Sequence, residues 1–202
     1  MQGLSFEQAW RNACECDVLL SENEGRLLYR LVREAPENVL EVGSRHGGSA
    51  VLMALAGAHK LTLIEPLARP QLLLSLARFD LLQRVHVLNY HDTLVWPIWT
   101  SELSFLFLDH EHEYLDVRNS LVGWRGHLRR GARIAIHDYV VFEEVKRGVD
   151  DLGPALKIVD RIDSMVVATW SDDPSLRTRR KSRSMTLPGK SRRSARSSLA
   201  RS

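Results

Sequence analysis

The sequence predicts an α/β protein with a doubly wound, mostly parallel sheet of seven strands that ends in an antiparallel hairpin. Short apolar runs alternate with helical segments, and this βαβ rhythm implies parallel strands joined by right-handed crossovers. A glycine-containing turn from Gly43 to Gly47 joins the first apolar run to a helix of small residues. Two alternating runs, 156–161 and 165–170, flank a polar turn and predict the hairpin. Together these features favour a Rossmann-like fold.

Each predicted element has its own signal in the sequence. The motif Ser21-Glu22-Asn23-Glu24 is a capping box ahead of a helix over 25–32, which Pro36 ends. Apolar periodicity predicts further helices over 4–20, 49–58, 68–79, 114–129 and 142–151. Apolar runs predict strands over 38–42, 60–65, 84–88, 103–108 and 132–136, before the hairpin. The predicted organisation is an N-terminal helical segment (1–35), a Rossmann-like domain (36–170) and a tail (171–202).

The composition fits one soluble globular domain followed by a basic tail. The chain has 202 residues, of which 44% are hydrophobic and 26% charged. Its net charge of +3 is unevenly placed, because residues 171–202 hold ten basic and two acidic side chains. The tail is rich in Arg and Ser and has almost no apolar residue to bury, so we expect it to be disordered. It could touch nucleic acid or an anionic surface, or be a solvated tail without function.

The cysteines and the N-terminus predict a cytoplasmic protein. The two cysteines, Cys14 and Cys16, are too close in sequence for an ordinary disulfide and lack the second pair that a zinc site needs. The first residues contain no basic segment followed by a long apolar one, and no apolar run approaches the ~18 residues of a membrane span. We therefore expect neither secretion nor contact with a membrane. The sequence does not indicate an oligomeric state.

The glycine loop predicts a nucleoside site. The pattern Glu41-x-Gly43-x-x-x-Gly47-x-Ser49 follows the first strand, and Glu65 ends the second strand 22 positions after Gly43. An acid at about this spacing can accept hydrogen bonds from ribose hydroxyls. A dinucleotide loop would instead carry G-x-G-x-x-G around a pyrophosphate. The alternative is a tight strand-to-helix turn, which many α/β proteins contain without a ligand.

A second block of residues, together with the glycine loop, indicates a particular class of nucleoside-binding protein. It runs Asp109-His110-Glu111-His112-Glu113-Tyr114, then Trp124, Leu128 and Gly131, then His137-Asp138-Tyr139. With the glycine loop, this block resembles class I S-adenosylmethionine (SAM)-dependent methyltransferases over about residues 36–170. The block is similar to the pattern D-G-D-H-S-Y … W … L-x-x-G-G … H-D-Y of a subgroup of small-molecule O-methyltransferases, related to sugar and macrolide O-methyltransferases and to a cephalosporin hydroxylase-like group. Three positions depart from these patterns: His110 and Ala132 stand for glycines of the block, and Arg45 for a glycine of the loop.

The resemblance implies roles for residues that follow strand ends, which should meet on one rim of the sheet. Glu65 would hold the ribose, Asp92 would lie near the adenine, and Asp109 would lie beside the sulfonium and the substrate. The loop around the methionine part of the cofactor would be formed by Glu41, Gly43, Ser44, Arg45, Gly47 and Ser49.

Methyl transfer to oxygen requires that the acceptor hydroxyl lose its proton. His112 is the candidate general base, because an imidazole can take up a proton near neutral pH. His137, Asp109 and Asp138 are the other candidate catalytic residues. Mg²⁺ bound by Asp109 and Asp138 could instead polarise the hydroxyl. The cluster Asp109 to Glu113 lacks the second histidine pair of a zinc or iron site.

We therefore expect a SAM-dependent methyltransferase that acts on a hydroxyl of a small molecule, such as a sugar or a natural product. One rival is a nucleic-acid-associated methyltransferase tethered by the basic tail. No base-methylating motif such as N-P-P-Y follows the fourth strand, which argues against this rival. The other rival is a non-catalytic protein that binds a nucleoside. The sequence does not identify the methyl acceptor.

Overall fold

Seven strands form one sheet in the computed structural model, which describes residues 3–171. The strands are β1 (Val39–Val42), β2 (Leu61–Ile64), β3 (Val85–Leu88), β4 (Leu103–Leu108), β5 (Leu128–Ile136), β6 (Leu156–Ile162) and β7 (Met165–Trp170). The helices are α1 (Phe6–Cys14), α2 (Glu22–Glu34), α3 (Gly48–Ala56), α4 (Pro70–Arg78), α5 (Asp92–Val95), α6 (Tyr114–Trp124) and α7 (Glu143–Asp150). Short 3-10 turns cover Trp96–Ile98, Arg125–His127 and Gly153–Ala155.

The sheet has the order β3-β2-β1-β4-β5-β7-β6. Strands β1 to β5 pair in parallel, and β7 pairs antiparallel with both β5 and β6. This confirms the predicted Rossmann-like sheet with its C-terminal hairpin. From β1 the chain proceeds outward through β2 and β3, and it then returns to place β4 on the other side of β1. Ligands of open α/β sheets bind at such a reversal, outside the carboxyl ends of the strands.

Alternating residues of the strands build a separate core on each face of the sheet. On one face, residues such as Leu63 and Phe107 pack with α1, α2, α3 and α4. On the other face, residues such as Leu106 and Ile134 pack with α6 and α7. Helices α1 and α2, which belong to the N-terminal segment predicted over 1–35, therefore pack into the first core. Every residue of α3 is buried, and its small side chains let it lie close to the sheet.

The local signals for α2 act as predicted. Ser21 caps the helix and accepts a hydrogen bond from the Glu24 backbone, while the Glu24 carboxylate accepts one from the Ser21 backbone. The two reciprocal bonds satisfy donors that a helix N-terminus leaves open. Leu28 and Leu31 then lie on the buried face of the helix. The structure therefore contains the complete capping box.

Two element ends differ from the sequence prediction by five residues or more. The first helix ends at Cys14, although apolar residues continue to Leu20. Helix α6 ends at Trp124 rather than near Arg129, because Leu128 already pairs with Leu103 as part of β5. The predicted disorder of the tail concerns residues 172–202, which lie outside the described residues. Within 3–171, no helix is long and apolar enough to cross a membrane.

Candidate active site

Strand register brings several predicted site residues to one rim. The last residues of β1, β2, β4 and β5 lie side by side, since Val42 pairs with Ile64 and Leu108, and Leu108 pairs with Ile136. The residues that follow these strand ends are Gly43, Glu65, Asp109 and His137. Backbone hydrogen bonds continue the ladder there, from Gly43 N to Ile64 O (2.9 Å), from Asp109 N to Val42 O (2.9 Å) and from His137 N to Leu108 O (3.0 Å).

The glycine loop follows a path that requires left-handed backbone angles. Gly43 and Gly47 have φ of 92° and 93°. A Cβ on Gly43 would overlap the carbonyl oxygen of Asp109, so the two strand ends approach closely only with glycine here. Arg45, which stands where the resemblance has glycine, also has a positive φ of 44°. Its backbone N–H donates to Glu65 Oε2 at 2.8 Å, which stabilises this conformation.

Glu41 holds the glycine loop through hydrogen bonds inside the protein. Its carboxyl is fully buried and accepts hydrogen bonds from Ser44 Oγ at 3.0 Å and from Ser49 Oγ. Burial raises the pKa of Glu41 to about 8, although the two serine hydroxyls oppose this effect. The Glu41 side chain has no exposed surface, so in this conformation it shapes the predicted cofactor loop without lining the cavity.

Glu65 lies at the end of β2, where the resemblance requires the ribose-binding acid. One carboxylate oxygen accepts the Arg45 N–H, and the other accepts the Leu67 N–H at 3.1 Å. The side chain is therefore fixed against the glycine loop while remaining partly exposed. A carboxylate has about four lone-pair sites, so Glu65 can accept further bonds from a diol.

A cavity of about 290 Å³ opens beside the loop. It is bounded on one side by the predicted loop residues Gly43, Ser44, Arg45 and Ser49, and on the other by Asp109, His112, His137 and Asp138. The connection between α1 and α2, residues 17–20, covers it; these residues belong to the predicted N-terminal segment but are not among the predicted site residues. Asp17 Oδ2 lies 2.7 Å from His46 Nδ1, a contact that fixes this connection to the glycine loop.

His137 is buried among carboxylates. Its Nδ1 lies 3.1 Å from Asp109 Oδ1 and 3.5 Å from Asp138 Oδ2, and its Nε2 lies 3.4 Å from Glu24 Oε2. Burial alone would lower the pKa of His137, but the contacts with Asp109, Asp138 and Glu24 outweigh burial and raise it well above its ordinary value. A group that keeps its proton at neutral pH cannot act as a general base, which leaves His137 with an electrostatic or orienting role.

His112 has a different environment. Its ring stacks on Phe142, with centroids 4.0 Å apart, and its Nε2 lies 3.0 Å from Asp138 Oδ2. This contact is an ion-pair distance without the angle of a hydrogen bond, and Nε2 has no hydrogen-bond partner within the described residues. The buried Nε2 faces Asp138, so Phe142 and Asp138 hold the ring in place beside the cavity, where an imidazole can act as a general base.

Asp92, which the resemblance places near the adenine, has a buried side chain. Its side chain is 2% exposed and accepts hydrogen bonds from Ser120 Oγ (2.6 Å) and Trp124 Nε1 (3.1 Å). The carboxylate anchors α5 to α6, and its place near the adenine of a cofactor stays a prediction. His110 is held similarly, since its Nε2 lies 2.8 Å from Ser120 Oγ. Both side chains contribute to packing behind the rim.

Comparison with known families agrees with this architecture. Residues 40–139 match the family model of a methyltransferase domain. The chain contains a methyltransferase domain. The matched residues include the glycine loop, Glu65, Asp109, His112 and the His137-Asp138 pair. No curated protein sequence matches the chain at a significant level.

Solved structures similar to the methyltransferase domain and its flanking elements share its fold. TomG from Streptomyces achromogenes, an O-methyltransferase involved in tomaymycin synthesis and solved with SAM, has 18% identity and a TM-score of 0.62 over 82% of this chain and 89% of its own. An O-methyltransferase from Bacillus cereus in complex with SAH has 16% identity and a TM-score of 0.64, over 82% and 90%. The SAH-bound methyltransferase PaMTH1 from Podospora anserina has 13% identity and a TM-score of 0.66, over 84% and 90%.

Proposed function

We propose that the protein transfers a methyl group from SAM to a hydroxyl of a small molecule. The observation that carries this proposal is the shared cavity: the glycine loop lines one side of it and His112 lines the other. A cofactor held by the loop would therefore meet an acceptor held beside the candidate base. The methyltransferase domain and the O-methyltransferases of similar fold support the same chemistry.

The residues present fit the proposed cofactor. The cavity is at the lower end of the usual size of ligand sites, which suits the amino-acid part of SAM. Ser44 and the loop backbone would hold this part, and Glu65 would hold the ribose. The carboxylates of Asp109 and Asp138 would face the sulfonium, a positive group that favours negative surroundings. Bound SAM would supply an activated methyl group on a sulfonium.

On the acceptor side, the protein positions the hydroxyl and removes its proton. Bound SAM would supply the methyl group to the acceptor oxygen, and the His112 imidazole would take up the proton that the hydroxyl loses. Stacking on Phe142 and the contact with Asp138 fix the ring during this step. Holding the acceptor in line with the methyl group supplies much of the rate enhancement in such reactions. We propose a sugar or natural-product hydroxyl as the acceptor, on the resemblance described above.

A divalent cation is the second way to lower the pKa of the acceptor hydroxyl. Asp109, His137 and Asp138 each offer a ligand atom, and these atoms lie within 4.8 Å of one another. Two carboxylates with one imidazole suit Mn²⁺ or Fe²⁺ better than Mg²⁺, which prefers oxygen ligands. Both nitrogens of His137 already face carboxylates, so a cation would have to displace a proton there. The donor set therefore does not fit Mg²⁺ well, and we propose proton transfer to His112 instead.

Calorimetry tests the cofactor first. SAM is titrated into the wild-type protein and into Gly43→Val and Glu65→Ala, with NAD as a competitor. We expect saturable SAM binding that both substitutions abolish or weaken and that NAD does not displace. Failure of the wild-type protein to bind SAM, or a preference for NAD, would overturn the proposal.

An acceptor screen then tests the chemistry. Small-molecule hydroxyl compounds are incubated with SAM in the presence of a chelator, of Mg²⁺ or of Mn²⁺, and methylated products are detected by mass spectrometry. We expect activity that survives the chelator and is lost in His112→Ala. Strict dependence on a cation would instead indicate that a cation bound by Asp109 and Asp138 lowers the pKa of the acceptor hydroxyl. The rival role of the basic tail remains a prediction, since residues 172–202 lie outside the described part of the chain.

A further inference from the structure

Glu24 is a buried carboxylate that the sequence marks only as a helix-capping residue. It lies in the first turn of α2, yet the residue is only 3% exposed. Capping-box glutamates need only a backbone partner, which a solvent-facing side chain can reach. A carboxylate so deeply buried needs several partners to offset its loss of hydration. The partners of Glu24 come from three separate elements.

Two of these partners belong to the scaffold. Glu24 Oε1 accepts hydrogen bonds from Ser164 N at 2.9 Å and from Ser164 Oγ at 2.6 Å, in the turn between β6 and β7. Glu24 Oε2 accepts the Ser21 N–H at 2.8 Å, at the end of the connection that covers the cavity. These bonds hold the Glu24 carboxylate in position without any contribution from a residue of the candidate active site.

The third partner lies in the candidate active site. Glu24 Oε2 lies 3.4 Å from His137 Nε2, on the side of the ring opposite Asp109. His137 Nδ1 in turn lies 3.1 Å from Asp109 Oδ1, and both residues line the cavity. The arrangement is a chain of carboxylate, imidazole and carboxylate that leads from α2 to the rim. Asp138 Oδ2 also lies 3.5 Å from His137 Nδ1. The same carboxylate oxygen lies 3.0 Å from His112 Nε2.

We propose that Glu24 is a positioning residue that fixes the His137 ring so that Nδ1 faces Asp109. An imidazole whose two nitrogens each have a fixed partner has a defined ring plane, whereas a ring with one partner can turn about its bond to Cβ. Through His137, Glu24 also fixes the Asp109 carboxylate at the cavity. The inference rests on the proposed function, since it assigns a role at that site, but the contacts themselves can be tested without catalysis.

The test compares three variants. Glu24→Gln keeps the size of the side chain but removes the charge that faces His137. Ser164→Ala removes one scaffold bond of Glu24 and leaves the His137 contact in place. Glu22→Gln, on the exposed side of the same helix, controls for the loss of a glutamate from α2. Long-range proton–nitrogen spectra of the histidine rings are recorded for each, and the His137 signals are assigned with His137→Gln.

We expect the His137 Nε2–H of the wild-type protein to exchange slowly with water, and to exchange roughly 10-fold faster in Glu24→Gln, because a charge-assisted contact is replaced by a weaker neutral one. Ser164→Ala and Glu22→Gln should leave the ring signals in place. Unchanged His137 signals in Glu24→Gln would overturn the proposal, as would an equal change in Ser164→Ala. Should Glu24→Gln fail to fold, Glu24→Asp, which retracts the carboxylate by one methylene, must shift the same signals.

SAM calorimetry on the same samples separates this inference from the proposed function. If the wild-type protein does not bind SAM, the function fails, while the ring spectra still decide whether Glu24 positions His137. If SAM binds and the spectra do not depend on Glu24, only the positioning role fails. Thermal unfolding of each variant shows whether a change in the ring signals merely reports loss of folded protein.

Discussion

The ionisation of Glu41 makes a specific prediction about stability and pH. Burial raises its pKa from 4.5 to about 8 in the folded protein. Between these pH values the unfolded chain holds an ionised carboxylate, whereas the folded protein must keep the group protonated. Folding therefore takes up a proton, and the free energy of unfolding falls as pH rises through this window. At ~1.4 kcal/mol per pH unit, the cost is roughly 3 kcal/mol at pH 7 and about 5 kcal/mol above pH 8.

Glu41→Gln isolates this effect, because the amide keeps the shape and can bond to both Ser44 and Ser49 but cannot ionise. We expect the stability of the variant relative to wild type to increase from pH 5 to pH 8 by ~1.4 kcal/mol per pH unit. The assay is urea unfolding followed by tryptophan fluorescence at pH 5, 6, 7 and 8. Contributions from His137 and Glu24 are common to both proteins and cancel in the difference. Glu102→Gln, at an exposed glutamate, is the control. A difference that stays constant with pH would refute the argument.

Three further substitutions test the rim and its support. Gly43→Ala should destabilise the protein by about 2–4 kcal/mol, because the new Cβ overlaps the Asp109 carbonyl oxygen and φ is positive. It should also abolish binding of S-adenosylhomocysteine. Thermal unfolding measures the first effect and calorimetry the second. Glu65→Gln should weaken S-adenosylhomocysteine binding by roughly 10-fold to 100-fold in calorimetry, the value of hydrogen bonds to a charged group, and should lower the melting temperature slightly, because the amide can replace only one of the two acceptor oxygens. Trp124→Phe should cost about 2–4 kcal/mol in urea unfolding, through lost volume and the lost bond to Asp92, without changing ligand affinity.

Each of these predictions has its own control. Gly131→Ala also places a side chain at a positive φ, but in open space, so it should cost only about 1 kcal/mol. Equal losses in the two glycine variants would show that strain alone, and not the close strand ends, explains the effect. Unchanged affinity in Glu65→Gln would remove the ribose role. A fall in affinity in Trp124→Phe would show that Asp92 does reach the ligand.

The fold could be predicted because its signals are local. Apolar runs bounded by Gly, Pro and polar residues defined the strands, and the capping box defined the start of α2. The end of α6 could not be predicted, since it depends on the pairing of Leu128 with Leu103, and these residues are distant in sequence. Helical periodicity continues past Trp124, but a 3-10 turn over Arg125–His127 leads directly into β5 there.

In the candidate site, too, some features could be predicted from the sequence and others depend on contacts between distant residues. Gly43, Glu65, Asp109 and His137 could be placed on one rim because parallel strands end together. The direction of a side chain could not be predicted from the sequence. The Asp92 carboxylate, for example, points into the protein because Ser120 and Trp124 donate hydrogen bonds to it. The covering connection 17–20 and the contact of Glu24 with His137 depend on how α1 and α2 pack on α3. No sequence motif encodes that packing.

The first turn of α3 shows why the site suits a sulfonium better than a pyrophosphate. In dinucleotide-binding folds a pyrophosphate lies against the helix N-terminus, where backbone N–H groups and close glycines receive it. Here Gly48 packs against Val18, and a Cβ at Gly48 would already overlap the Val18 backbone. Ser49, one residue further, donates its hydroxyl to the buried Glu41. The covering connection therefore occupies the position of the phosphates, while carboxylates line the opposite wall of the cavity. SAM has a positive group beside a nucleoside and no phosphate, so it satisfies both features, whereas the negative pyrophosphate of NAD satisfies neither.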